Sequence, residues 1–95
     1  MFPQLDPLLH ARLRLGIMSI LIGSEEADFV YLQEKTGATS GNLSVQIEKL
    51  REAGYLEVAK SFKGKIPRTT CRITSKGINA FEQYVQCLRD YLPSK

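Results

Sequence analysis

The sequence predicts a mainly helical α+β fold, and three observations carry that expectation. Two short stretches of helical periodicity flank the turn Thr36-Gly37-Ala38-Thr39-Ser40-Gly41. Strand-like alternation follows and returns on itself through the basic, glycine-centred stretch Lys63-Gly64-Lys65-Ile66-Pro67-Arg68. A long amphipathic pattern then closes the chain. Helix, tight turn, helix and a hairpin with a charged tip is the order of a winged helix-turn-helix: a three-helix core, a two-stranded β wing and a C-terminal helix. That order puts one helix and one loop on the same side, spaced to meet adjacent parts of a DNA duplex.

The first helix is expected over residues 6–22. Asp6 can cap it, and Pro7 suits the first helical position, where its missing N–H costs nothing. Leu8, Leu9, Leu13, Ile17, Ile20 and Leu21 recur near helical spacing, with Leu15 and Met18 on a further face. A helix apolar around most of its circumference is buried or shares a face with another subunit. Gly23 is placed to stop it. Ser24-Glu25-Glu26-Ala27 reads as an exposed connector.

The helix-turn-helix is expected over 28–53. Asp28 caps a short helix with Phe29 and Leu32 on one side and Gln33, Glu34 and Lys35 on the other. Gly37 ends it, supplying the left-handed backbone that so tight a turn requires. Thr39 or Ser40 caps the second helix, whose inward stripe is Leu43, Ile47 and Leu50. Gly54 stops that helix. The wing hairpin follows over 55–74, with Leu56 and Val58 alternating against Glu57 and Lys60. In the return strand Thr69, Cys71 and Ile73 line one face and Arg68, Thr70, Arg72 and Thr74 the other. The last helix is expected over 75–92, and Ile78, Phe81, Val85, Leu88 and Leu92 give it the spacing of a two-helix seam.

Composition bounds the function. At 95 residues the chain is expected to be one domain, 1–95, with a modest core and no room for a separate catalytic domain. Hydrophobic residues at 43% and charged residues at 24% are ordinary for a soluble protein. The longest apolar stretch, within Leu13–Ile22, is interrupted by Arg14, Gly16 and Ser19 and is too short for a bilayer. The start of the chain lacks the basic head and apolar core of a signal peptide, so a cytoplasmic location and no membrane partner are expected. Cys71, Cys87 and the lone His10 offer no zinc-ligand spacing, so no metal and no cofactor are expected. Both cysteines read as small apolar residues.

The net charge of +3 is unevenly spread. Residues 23–38 carry four acids against Lys35, while residues 39–72 carry seven bases against three acids. The positive excess falls on the second helix and the hairpin, where phosphate would be met.

With Leu43, Ile47 and Leu50 turned inward, the second helix presents a small, polar N-terminal half: Thr39, Ser40, Gly41, Asn42, Ser44 and Gln46. Small residues let a backbone approach the floor of the major groove. Asn and Gln can make two hydrogen bonds to adenine, and Ser or Thr can bond base edges or phosphates. Lys63 and Lys65 around Gly64, with Arg68 and Arg72 on the return strand, suit phosphate or minor-groove contact. A solvated polar face and a lysine-blunted strand edge are the plainer readings of the same residues.

The stretch EKTGATSGNLSVQIEKLREAGYLEV resembles the winged helix-turn-helix of MarR-like and related small transcriptional regulators. SFKGKIPRTTCRITSKGINAF is similar to their wing and terminal helix, which opens on a Thr-x-x-Gly element, here Thr74-Ser75-Lys76-Gly77. The element from Ile47 through Leu50 to Gly54-Tyr55-Leu56 marks the fold without marking an operator. The resemblance runs from about Leu8 to Leu92 and implies a cytoplasmic homodimer on a pseudo-palindromic DNA site. It places Ser40, Asn42, Ser44, Val45 and Lys49 on the DNA-facing helix and Lys63, Lys65 and Arg68 on the wing. Where many such regulators carry arginine this chain has Val45, which offers apolar contact such as to a thymine methyl.

The dimer would rest on the first and last helices, through Leu9, Leu13, Ile78, Phe81, Val85, Leu88 and Leu92, although the terminal stripe could equally cover the subunit's own first helix. Catalysis is not expected, because no nucleophile-base-acid set, phosphate loop or ligand cluster assembles around one histidine. A winged helix used as a protein-interaction module is the rival class, and the acidic Glu48 and Glu52 would suit it.

Overall fold

The computed structural model describes residues 2–93. Its elements run α1 (Arg12–Ser24), β1 (Glu26–Asp28), α2 (Phe29–Thr36), α3 (Ser40–Glu52), β2 (Leu56–Lys63), β3 (Ile66–Ile73) and α4 (Ser75–Arg89). The fold is the expected winged helix, with a third strand at the base of the wing. β3 is central in an antiparallel sheet of order β1-β3-β2.

The helix-turn-helix follows from local chemistry. The Asp28 carboxylate accepts the Tyr31 N–H at 2.8 Å and so starts α2. Gly37 ends it at a φ of 70°, in the left-handed region. Thr39 accepts the Asn42 N–H at 3.2 Å and opens α3. Leu43, Ile47 and Leu50 then drop into a core shared with Ile17, Met18 and Leu21 of α1 and Leu32 of α2.

Five expectations are corrected. The first helix begins at Arg12, not at Asp6. Asp6 does cap, its carboxylate accepting the Leu8 N–H at 2.9 Å, but the turn it opens closes after one round. Ala11 is extended, with a φ of −149°, and the helix starts afresh beyond it. Gly23 lies within α1, which stops only at Ser24.

Residues 24–27 are not a free connector. Glu26, Ala27 and Asp28 pair with Arg72, Cys71 and Thr70, and the Glu25 carbonyl accepts the Ile73 N–H at 3.1 Å. The expected loop from Lys63 to Pro67 shrinks to two residues, because pairing continues to Lys63↔Ile66. Gly64 has a φ of 66° and Lys65 is not left-handed, the pattern of a type II′ hairpin turn with glycine first. Finally, α4 closes at Arg89, and Tyr91 and Leu92 continue it only through shorter i→i+3 bonds.

The segment before α1 is strapped along α4. Phe2 stacks on Tyr91 with ring centroids 4.6 Å apart, Leu9 is fully buried, and the Tyr84 hydroxyl lies 2.9 Å from His10 Nδ1. The Tyr55 hydroxyl donates to Asp6 at 2.6 Å. Tyr55 is pushed up to about 12 by burial first and by this bond second. At the start of α4 the Thr74 hydroxyl donates to the Gly54 carbonyl at 2.6 Å and accepts the Gly77 N–H at 3.0 Å. That double bond pattern locks the wing's exit to the α3–β2 corner.

Candidate nucleic-acid interface

α3 has one covered stripe and three uncovered sectors. Opposite Leu43, Ile47 and Leu50 stand Gly41, Val45 and Lys49, all exposed. On the wing side Ser40, Ser44 and Glu48 line a groove with Val58, Lys60 and Thr69 of the sheet. On the α1 side lie Asn42 and Gln46. Thr39 is exposed as well, although its hydroxyl is engaged as the cap. Six of the seven candidate residues on this element, Thr39, Ser40, Asn42, Ser44, Val45 and Lys49, are thus exposed, and all belong to the uncovered side of α3.

Gln46 is different. It is half-buried, its carbonyl oxygen accepts from the Arg14 guanidinium at 2.5 Å, and its amide nitrogen donates to Asn42 Oδ1 at 3.1 Å. Arg14 is itself held by the Leu8 carbonyl at 2.6 Å. The chain Leu8–Arg14–Gln46–Asn42 fixes the Asn42 amide and leaves its NH2 hydrogens outward. Gln46 orients a neighbour here instead of facing solvent, and Arg14, unremarked in the sequence, anchors it.

Glu48 stands on the wing-facing flank, where its charge would repel phosphate. Arg51 one turn later makes two hydrogen bonds to it, one of them 2.9 Å from Nε to Oε2. The bond to Arg51 holds the Glu48 carboxyl below the usual carboxylate range. The pair is locally neutral, which weakens the case for an acidic protein-docking face at Glu48.

On the wing the five bases separate into two groups. Arg68 reaches Asp28 at 3.3 Å and Arg72 reaches Glu26 at 3.3 Å, both acids belonging to β1. Two of the four acids of residues 23–38, Glu26 and Asp28, are therefore brought onto the return strand and offset its arginines. Both arginines are exposed, and each is already paired with an acid of its own chain. Among the described residues no ion pair engages Lys60, Lys63, Lys65 or, on α3, Lys49. Lys60, expected opposite Leu56 and Val58, instead shares their face, as positions two apart in a strand do, and lines the groove with Ser40 and Ser44 of α3.

The terminal helix presents two stripes. Gly77, Ala80 and Tyr84 turn toward the N-terminal strap and the α3–β2 corner, and a small cleft there is lined by Gln4, Asp6, Tyr55, Ala80 and Cys87. Phe81, Val85 and Leu88 are half-buried, and Ile78 and Leu92 are exposed. Phe81 and Val85 line an open groove with Ile22 of α1. Leu13 is half-buried on the other side of α1, in a cleft with Gly16, Ile20, Lys35 and Asn42. Leu9 has no exposed surface and is removed from the expected interface, because the one-turn Asp6 cap directs it into the subunit's own core. Cys71 is fully buried and its thiol is pushed up to about 11 by that burial, so it stays protonated and inert.

No helix is long and apolar enough to cross a membrane among the described residues. A family model described as a winged helix DNA-binding domain matches residues 13–92. An uncharacterized protein of Methanocaldococcus jannaschii is 39% identical over 79 residues, which span 82% of this chain and 85% of the relative. A transcriptional regulator homologue from Pyrococcus horikoshii OT3 superposes with a TM-score of 0.83 at 30% identity, over 88% of this chain and 83% of that one. NadR in complex with 4-hydroxyphenylacetate has a TM-score of 0.73 at 18% identity, over 90% of this chain and 62% of NadR, and shares the fold alone.

Proposed function

The chain belongs to the winged helix DNA-binding domain family, and from that premise we propose that it is a cytoplasmic transcriptional regulator that binds double-stranded DNA sequence-specifically as a homodimer. One observation carries the reading. The uncovered, small-residue face of α3 lies across a shared groove from a wing whose lysines have no acidic partner among the described residues. α3 enters the major groove, with Ser40, Asn42 and Ser44 at base edges and Val45 at a thymine methyl. Gln46 holds Asn42 in its reading orientation. Thr39 and Lys49 meet the flanking phosphates, and Lys60, Lys63 and Lys65 meet the backbone along the wing. Arg68 and Arg72 contribute less than free cations would, because phosphate must compete with Asp28 and Glu26.

The second copy docks on the stripe Ile78, Phe81, Val85, Leu88 and Leu92, of which Phe81 and Leu88 also pack on the subunit's own core, with Leu13 at its margin. A two-fold axis there would set two α3 helices on successive major grooves, about 34 Å apart, and make the site pseudo-palindromic. Titration of the protein with random-sequence duplex at several salt concentrations, with its mass recorded in solution, tests the reading. Salt-sensitive binding by a dimer supports it. Absence of binding at low salt sinks it and points instead to a protein partner on the polar face of α3.

A further inference from the structure

Phe62 and Ile66 are the two most exposed large apolar side chains among the described residues, at 72% and 69%. Neither touches the core cluster. They sit at the end of the wing, where Phe62 pairs with Pro67 and Ile66 with Lys63 across the ladder. Both leave most of their apolar surface uncovered, and a bare apolar hairpin end is an association hazard unless an occupant covers it.

Three features identify that occupant. Lys63 and Lys65 lie at the turn between Phe62 and Ile66 and have no acidic partner among the described residues, which suits a polyanion. Alternation puts Phe62 on the face of Leu56, Val58 and Lys60, the face that shares a groove with Ser40 and Ser44 of α3. The Phe62 side of the tip is thus continuous with the surface proposed to meet the major groove, while Ile66, paired with Lys63, stands on the opposite face of the hairpin. Beyond Ser61 and Arg68 the hairpin runs free for two paired positions and a two-residue turn, a reach of about 10 Å. A minor groove is about 7.5 Å deep but only about 6 Å wide, too narrow for two strands with side chains unless it is opened.

We propose that the wing tip is an apolar wedge for the DNA minor groove. Phe62 inserts at a base step, Pro67 and Ile66 pack on the flanking deoxyriboses, and Lys63 and Lys65 hold the phosphates on either side. The wedge unstacks that step and bends the duplex toward the major groove, around α3. It selects flexible pyrimidine–purine steps such as TA at a position where no hydrogen bond reads the base. The inference rests on the DNA-binding reading above and adds a second means of recognition to it.

The test uses the full chain, a short duplex with a fluorophore at each end, and the same duplex with 2-aminopurine beside a TA step. Wild-type protein is expected to shorten the end-to-end distance and brighten the 2-aminopurine. Phe62→Ala combined with Ile66→Ala is expected to abolish both signals and weaken binding by about tenfold, while the salt slope and the thermal unfolding curve stay as in wild type. Phe62→Trp should keep the signals. A double variant that bends and binds DNA like wild type overturns the wedge while leaving the DNA-binding reading intact. A double variant that instead changes the protein's mass in solution overturns it in favour of contact between copies. Wild-type protein that binds no duplex at all defeats the underlying reading, and that is seen before any variant is made.

Discussion

Gly77 lies where α4 crosses the corner between α3 and β2, and a Cβ there would stand 2.1 Å from the Tyr55 carbonyl oxygen. That oxygen is backbone and already accepts the Thr74 N–H, so it cannot yield cheaply. Gly77→Ala is expected to destabilise the fold by about 1–3 kcal/mol in urea unfolding, although alanine is the better helix former. Glu25 presents the opposite case. It has a φ of 70°, the one left-handed non-glycine among the described residues, held there between the end of α1 and its bond to Ile73. Glu25→Gly should therefore stabilise by about 1 kcal/mol in the same assay, strain relief exceeding the entropy lost with glycine. Tyr55 makes a pH prediction. Its acidity is weakened from 10.0 to about 12 on folding, so its contribution is complete below pH 10 and is lost as pH rises toward 12. Cys71, raised from 9.0 to about 11, loses its contribution over an overlapping alkaline window. Thermal melts of wild type should fall through this range, and Tyr55→Phe should start lower and fall less steeply.

At the scale of the element, the helix-turn-helix was legible because its signals are local: a cap, a left-handed glycine and a stripe within a few residues of each other. β1 was not. Three residues are too few to show alternation, and what makes Glu26–Asp28 a strand is β3, more than forty positions away. Separation in sequence likewise hid the partners of Arg68 and Arg72, and the bond between Arg14 and Gln46, 32 positions apart. The start of α1 failed differently, because a cap announces that a helix begins and not how far it runs. The wing's free lysines carry this element's prediction. Lys63→Ala with Lys65→Ala should weaken binding to all duplexes and flatten the slope of log affinity against log salt by about two. An unchanged slope would remove the wing from the interface.

Across the whole molecule, α4 buries one stripe in its own subunit and leaves another only half-covered. The first stripe is closed by the N-terminal strap, which the sequence had assigned to the first helix. The second is the proposed dimer seam. Val85→Glu should convert a dimer to a monomer in sedimentation at micromolar concentration, with helical content retained. A dimer that survives the charge would place the two-fold axis elsewhere, with the Leu13 cleft as the remaining apolar ground.

The central position of β3 has a consequence for how the chain comes into being. β1 and β2 do not pair with each other, and each needs β3, which is made last of the three. A growing chain stopped before Ile66 has its helix-turn-helix and not one rung of sheet. Glu26 and Asp28 keep their early strand charged while it waits, and so blunt its pairing with neighbouring nascent chains. In the finished ladder Glu26 lies opposite Arg72 and Asp28 reaches Arg68, so the same charges are answered within the chain.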